Sequence, residues 1–66
     1  MNMLLLDSFS FSNRKANIYQ LREDFYMLEF YMDNALKNKF TLVNLVEAKQ
    51  MADAYVDGRQ MLNENA

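Results

Sequence analysis

The feature that most constrains the fold is the near absence of residues that interrupt regular structure. The chain contains no proline, and its single glycine is Gly58. Proline and glycine are the residues that most destabilise the interior of a helix. A chain without them is therefore expected to form long elements, and long helices are favoured.

A regular spacing of apolar residues predicts the first of these helices. Ile18, Leu21, Phe25, Leu28, Met32 and Ala35 follow a 3-4-3-4-3 spacing. This is the spacing of a helix that packs along its length against another helix. Ser12 or Asn13 can cap its start. The sequence thus predicts a helix over residues 13–37.

A second apolar stretch predicts a second helix over residues 42–62. Thr41 is a suitable N-cap, and Phe40 and Leu45 stand at the positions of a hydrophobic staple. Gly58 either ends this helix or is tolerated in its last turns. Two helices joined by residues 38–41 must fold back on each other as an antiparallel hairpin. The predicted fold class is all-α, with the helical hairpin occupying residues 13–66.

The first 12 residues differ in character and are predicted to form an N-terminal arm. Residues 8–12 alternate serine and phenylalanine. This period of two fits a short strand, or an extended segment that lays Phe9 and Phe11 onto a surface. Strand, helix and disorder all remain open for the arm.

The run DFYMLEFYMD, residues 24–33, carries more apolar residues than one helix partner can cover. On the predicted helix they form a second stripe beside the 3-4 pattern. Large exposed apolar patches mark interaction sites, and interface cores favour aromatics and methionine. One alternative is that this stripe is ordinary core, covered by the N-terminal arm or by a homodimer partner. Another is a strand, because aromatics favour sheets, although the helical spacing continues unbroken through the run. The predicted protein-interface residues are Tyr19, Tyr26, Met27, Phe30 and Tyr31, extended by Phe9 and Phe11.

Chain length predicts self-association. A chain of 66 residues buries a small share of its surface and needs disulfides, metals or oligomerisation for stability. Cysteine and histidine are absent, which removes disulfides and the commonest ligands for zinc. We therefore expect a homodimer, a dimeric four-helix bundle in which two hairpins associate, with no cofactor and no metal.

The residues offer little for catalysis. Without cysteine or histidine, the usual nucleophile–base pairs cannot form. Asp53 and Asp57 lie one turn apart with Lys49 before them. Paired carboxylates can bind a cation, but such a row is typical of a solvated helix face with i,i+4 pairing. The sequence predicts a protein that is not an enzyme.

Two family resemblances suggest alternative functions. Gln50 and Asp53, following Phe40 and Thr41, resemble the second helix of the helical-hairpin phosphatases that act on a sporulation response regulator. That likeness implies that Gln50 and Asp53 face an aspartyl phosphate, although Lys49 and Ala52 depart from the family's serine and leucine. The order of arm, helix, turn and helix resembles ribbon-helix-helix DNA-binding dimers, but the arm has no lysine or arginine to contact phosphate.

Charge and hydropathy set the expected surroundings. The net charge is −2, so no basic footprint for nucleic acid or an anionic membrane is present. No apolar run reaches the roughly 20 residues of a membrane span. Eight asparagines with many lysines and aromatics suit an AT-rich genome, such as that of a bacterium or phage. We expect a small cytoplasmic regulator, adaptor or inhibitor that binds a protein partner of unknown identity.

Overall fold

The computed structural model describes residues 3–58 and contains one antiparallel sheet and one helix. In chain order the elements are β1 Leu4–Phe11, β2 Arg14–Arg22, β3 Phe25–Met32, β4 Ala35–Leu42 and α1 Leu45–Val56. Each strand pairs with the next along the chain, so β2 and β3 are central while β1 and β4 form the edges. The helix then returns across one face of the sheet and packs on it.

The predicted all-α helical hairpin is wrong. The stretch predicted as a helix over residues 13–37 forms β2, β3 and the start of β4. The predicted N-terminal arm, residues 1–12, contains β1, which is an integral strand of the sheet and supports the strand alternative. With only one helix in residues 3–58, two copies could not form the predicted four-helix bundle from this part of the chain.

The run FYMLEFYM forms β3 because a central strand can use apolar residues on both faces. Successive side chains of a strand point to opposite sides of the sheet. Leu28 and Phe30 are 0% and 1% exposed and belong to the core beneath α1. Met27 and Tyr31 alternate with them and lie on the opposite face. Apolar residues that would surround a helix on all sides are therefore ordinary in a central strand, where they cover both faces of the sheet.

Tight turns made by polar residues connect the strands. Asp33 and Asn34, between β3 and β4, have φ values of 54° and 68°. Two successive left-handed residues are the mark of a type I′ hairpin turn, whose twist matches that of the strands. Ser12 and Asp24 occupy the left-handed region in the other two turns, with φ of 59° and 58°. Short polar side chains tolerate this conformation, so hairpins form without glycine.

The helix α1 has well-defined ends. Its N-cap is Asn44, whose side-chain oxygen accepts a hydrogen bond from the backbone N–H of Glu47 at 3.1 Å. The helix ends at Val56, and Gly58 follows with a φ of 80°, the left-handed conformation that commonly terminates helices. Of the two readings left open for Gly58, the structure therefore shows the first.

The predicted second helix, residues 42–62, is correct only for its middle part. Thr41 does not cap it, because Thr41 pairs with Met27 within β4. Leu42 also belongs to β4, so the helix begins three residues later than predicted. The predicted extension over residues 59–62 lies outside the described residues.

The core lies between α1 and one face of the sheet. Ala48 and Ala52 are fully buried and, being small, allow the helix to approach the strands closely. The sheet opposes them with Ala16, Ile18 and Leu28, which are also fully buried. Larger half-buried residues close the sides of this core: Leu6, Phe9, Phe40, Leu42, Leu45 and Met51.

Tyr55 ties the last turn of α1 to the sheet through three kinds of contact. Its ring stacks on Phe30 with centroids 4.0 Å apart, and its hydroxyl donates a hydrogen bond to the backbone oxygen of Tyr31 at 3.0 Å. Arg14 donates from Nη1 to the Tyr55 carbonyl at 2.9 Å and lies 4.9 Å from the centre of its ring. A cation at the C-terminal end of a helix also opposes the negative end of its dipole.

Candidate functional site

The sheet face opposite α1 is covered by no element of the part of the chain that the structure describes. It is called the open face below. Strand alternation and the pairing register place on it one row from each of the four strands. Its members are Leu5, Ser8, Ser10, Lys15, Asn17, Tyr19, Arg22, Phe25, Met27, Glu29, Tyr31, Leu36, Lys39 and Thr41.

The centre of the open face is a polar pair that neighbouring side chains cover. Glu29 and Asn17 oppose each other across β2 and β3, and each is only 9% exposed. Glu29 accepts a hydrogen bond from the Tyr31 hydroxyl at 3.0 Å. The side-chain oxygen of Asn17 accepts one from the Ser8 hydroxyl at 2.8 Å. Buried polar groups are costly without partners, and these bonds supply them.

Glu29 and burial together raise the pKa values of the two tyrosines beside this pair. The hydrogen bond to Glu29 raises the pKa of Tyr31, with smaller effects of burial and of the Glu29 charge. Burial raises the pKa of Tyr19, and the charge and hydrogen bonding of Glu29 raise it further. Both tyrosines therefore stay neutral to higher pH than a free tyrosine, because the carboxylate disfavours a second negative charge nearby.

This arrangement predicts a pH dependence that spectroscopy can measure. Because folding raises the pKa values of Tyr19 and Tyr31, their neutral forms contribute to the free energy of unfolding. This contribution is complete below the ordinary tyrosine pKa of about 10 and is lost as the pH rises through the raised values. In an absorbance titration near 295 nm, we expect Glu29→Gln to move two tyrosines towards earlier ionisation. Identical titration curves for the Gln variant and the native chain would contradict the assigned role of Glu29.

Cations surround this centre and lie over aromatic rings. The Lys15 ammonium lies 5.1 Å from the centre of the Tyr31 ring, and the Arg22 guanidinium lies 4.8 Å from that of Phe25. Such cation–π contacts hold both partners in place. Lys39, the cross-strand neighbour of Glu29, is exposed. The open face therefore presents three cations around one covered carboxylate, although the whole chain is negative.

The structure separates the seven predicted interface residues into different environments. Tyr19, Met27 and Tyr31 lie together on the open face. Phe30 is a core residue under α1, and Phe9 packs against that core. Tyr26, by strand alternation, belongs to the α1 side and is 8% exposed. Phe11 lies at the end of β1 and is 64% exposed.

Sequence reasoning missed Phe25, Lys15 and Arg22 as members of the open face. The 3-4 spacing places Phe25 at the contact between two helices, and neither Lys15 nor Arg22 is among the predicted interface residues. A period-two reading of β3 would have grouped Phe25 with Met27 and Tyr31. The cations follow only from the pairing register, which places Lys15 opposite Tyr31 and Arg22 opposite Phe25.

The residues weighed for chemistry lie on the outer side of the molecule. Lys49, Gln50, Asp53 and Asp57 are all exposed, and the first three belong to α1. The two-helix arrangements of the hairpin phosphatases and of the ribbon-helix-helix dimers do not occur in residues 3–58. Within the same residues, no group of three or more acidic side chains could hold a metal ion. No helix in that range is long and apolar enough to cross a membrane.

A shallow cleft of about 260 Å³ lies where the β1–β2 and β3–β4 turns meet. The two turns are joined there by a backbone bond from Asp33 N–H to the Asn13 carbonyl at 2.9 Å and by a side-chain bond between the same residues at 3.0 Å. Arg14 and Lys15 also line it, but both already contact aromatic rings. The cleft is therefore a junction of turns whose polar groups bind one another.

Comparison with known protein families, with curated proteins and with solved structures finds no match to this chain, so its functional assignment rests on the geometry of the open face.

Proposed function

We propose that the protein is a small cytoplasmic protein-binding module, acting as a regulator, adaptor or inhibitor, whose working surface is the open face. One observation carries this: an uncovered sheet face presents Tyr19, Phe25 and Tyr31, with cations against the rings of Phe25 and Tyr31. Aromatic side chains anchor protein interfaces, and little ordering cost remains when they are already held. The hydrogen bond of Tyr31 to Glu29 and the two cation–π contacts provide that order.

Charge favours an acidic partner. Lys15, Arg22 and Lys39 are all exposed, whereas the Glu29 carboxyl group is covered by its neighbours. The field outside the open face is therefore positive. Complementary charge steers association and excludes partners of like charge. A partner helix or loop with acidic residues around an apolar centre fits this surface, because the half-buried rings of Phe25 and Tyr31 offer apolar contacts between the cations.

Single-stranded nucleic acid is the competing ligand, because its bases stack on aromatic side chains in basic grooves. Two features oppose it. Lys15 and Arg22 already lie over the rings of Tyr31 and Phe25, on which bases would stack. Glu29 also places a carboxylate at the centre of the face, where phosphates would gather. Saturable, salt-sensitive binding of a mixed-sequence oligonucleotide in fluorescence anisotropy would overturn the protein-binding proposal in favour of this one.

Site-specific photo-crosslinking in the producing cell identifies the partner and tests the surface together. A photoreactive phenylalanine analogue replaces Tyr19 on the open face or, as a matched control, Gln50 on the exposed side of α1. We expect a discrete crosslinked protein from position 19 and none from position 50. Equal crosslinking from both positions, or none from position 19, would contradict the assignment of the open face.

Affinity for the captured protein then shows which side chains contribute to binding. We expect Tyr31→Ala to weaken this affinity by at least about tenfold, as loss of an interface anchor does. Lys39→Gln should weaken it less, and the loss should shrink at high salt because a rim charge acts through screened attraction. The matched control is Lys49→Gln, the same change on exposed α1. Equal losses of affinity for the two lysine variants in calorimetric titration would contradict the proposal that charge on the open face attracts the partner.

A further inference from the structure

The edge strand β1 concentrates exposed apolar surface. Among residues 3–58, four of the seven large hydrophobic residues that are exposed lie in or directly before it. Met3, Leu4, Leu5 and Phe11 are 51%, 59%, 52% and 64% exposed. The strand contains no lysine, arginine or proline, and its only charge is Asp7. An exposed apolar edge of this kind is a template for a further strand.

The backbone of β1 also has hydrogen-bonding groups directed away from the sheet. The N–H of Ser8 donates to the side-chain oxygen of Asp7 at 2.9 Å, which places this N–H on the outer edge of β1. Alternate residues of an edge strand point the same way, so the N–H of Ser10 is directed outwards too. The irregularity in pairing between Leu5 and Asp7 limits the regular edge to residues 8–11.

The opposite edge, β4, is protected from such pairing. It carries Lys37 and Lys39, and its pairing with β3 is irregular near Lys37. Lysine and bulges on edge strands are devices that prevent edge-to-edge association. The two edges of the sheet therefore differ, and β1 is the one able to accept a strand.

We propose that β1 pairs antiparallel with β1 of a second copy of this chain, across a two-fold axis. This joins two sheets into one of eight strands and places both helices on the same side. Pairing of β1 with the partner's β4 would leave one β1 and one β4 free to bind further copies, so the chains would build open fibres. Pairing of β1 with β1 uses the same edge of both copies and gives a closed dimer. Pairing of β4 with β4 would bring lysines together. Of these three pairings, only β1 with β1 gives a closed dimer without bringing lysines together.

The seam between the two β1 strands covers exposed apolar surface on the α1 side of the sheet. Phe11 lies on that side, within the regular edge, and α1 does not cover it, as its exposure shows. In the dimer the partner's β1 lies beside Phe11 and covers it. Pairing also releases the Ser8 N–H from Asp7, so part of the gain is offset. A short edge and this competing bond favour a dimer that dissociates on dilution over a permanent one.

Proline at position 10 tests the dimer without removing a bond within the chain. An outward N–H on an edge strand can be lost to proline, so the sheet itself should remain. The matched control is Thr41→Pro, because Thr41 also lies on an outer edge, that of β4. In sedimentation velocity over a concentration series, we expect the native chain and Thr41→Pro to move from 7.8 kDa towards twice that mass. Ser10→Pro should dissociate at least about tenfold more readily.

A side-chain variant tests the dimer independently, in case the proline variant does not fold. Phe11→Lys replaces an exposed apolar residue at the seam by a charge, and it should keep native far-ultraviolet circular dichroism while remaining monomeric. A native chain that stays at 7.8 kDa up to millimolar concentration would overturn the proposal. So would a folded Phe11→Lys variant that dimerises like the native chain, or a folded Thr41→Pro variant that remains monomeric.

Discussion

Replacing Tyr55 by alanine is expected to lower the free energy of unfolding by about 3–5 kcal/mol, the range for truncation of a large buried aromatic. Tyr55 is fully buried and stacks on Phe30 at 4.0 Å. Its removal opens a cavity between α1 and the sheet and takes away a support of Arg14. A domain of this size has a total stability of about 3–10 kcal/mol. The alanine variant should therefore lose a large part of that stability and unfold at a much lower urea concentration than the native chain.

The Tyr55→Phe variant separates the hydroxyl from the ring. It keeps the stack on Phe30 and loses only the hydrogen bond to the Tyr31 carbonyl. We expect it to cost about 1 kcal/mol, with the unpaired carbonyl as the main reason. Urea denaturation followed by circular dichroism measures both variants. A loss below about 1 kcal/mol for Tyr55→Ala would show that α1 does not pack through this residue.

Leu28→Ala is expected to lower the free energy of unfolding by about 2–5 kcal/mol. Leu28 is 0% exposed and lies in the core at the middle of β3, where neighbouring strands restrict collapse into the space left behind. The loss combines the transfer free energy of the removed atoms with the cavity that remains.

Leu36→Ala provides the matched control, because it makes the same substitution at a β4 position that is 46% exposed. It should change stability by less than about 1 kcal/mol, the usual range for surface changes. Thermal and urea unfolding of the two variants gives the comparison. Equal losses at the two positions would contradict the described difference in burial between these leucines.

The sequence contains the period of two that is typical of strands, but a 3-4 spacing typical of helices coincides with it. Ile18 and Leu28 appear in the 3-4 spacing because both are core residues on neighbouring strands. The other members coincide with it for unrelated reasons: Phe25 lies on the opposite face, and Ala35 is exposed after a turn. Strands of eight or nine residues joined by two-residue turns repeat at a length close to three helical turns. The false helix arises from that coincidence.

The turns were hidden because none of the three contains glycine or proline. Ser12, Asp24, Asp33 and Asn34 take the left-handed conformation instead. Their spacing of about ten residues is typical of consecutive hairpins, and it was readable from the sequence. The N-cap at Asn44 was likewise available, since Glu47 three residues later completes a capping pattern. The near absence of glycine and proline favours long helices, whereas the regular recurrence of turn-forming polar residues favours hairpins.

The candidate site was predictable only in part. Tyr19, Met27 and Tyr31 were identified from residue type and lie together on the open face. Phe30 was grouped with them by angular position on a helix, and on a strand it faces the core. The central position of Glu29 could not be predicted, because it depends on the register that brings Asn17 opposite it. That pairing is a long-range contact that no local pattern encodes.

Nuclear Overhauser contacts between backbone protons test the central claim most directly, namely that residues 4–42 form a four-stranded sheet with one face under α1. Hα–Hα contacts are strong between directly opposed residues that exchange no backbone hydrogen bonds. We predict them between Ser8 and Asn17 and between Glu29 and Lys39, together with contacts between the rings of Tyr55 and Phe30. Contacts from Hα to the Hβ three residues later throughout residues 13–37 would instead show a helix and contradict the account.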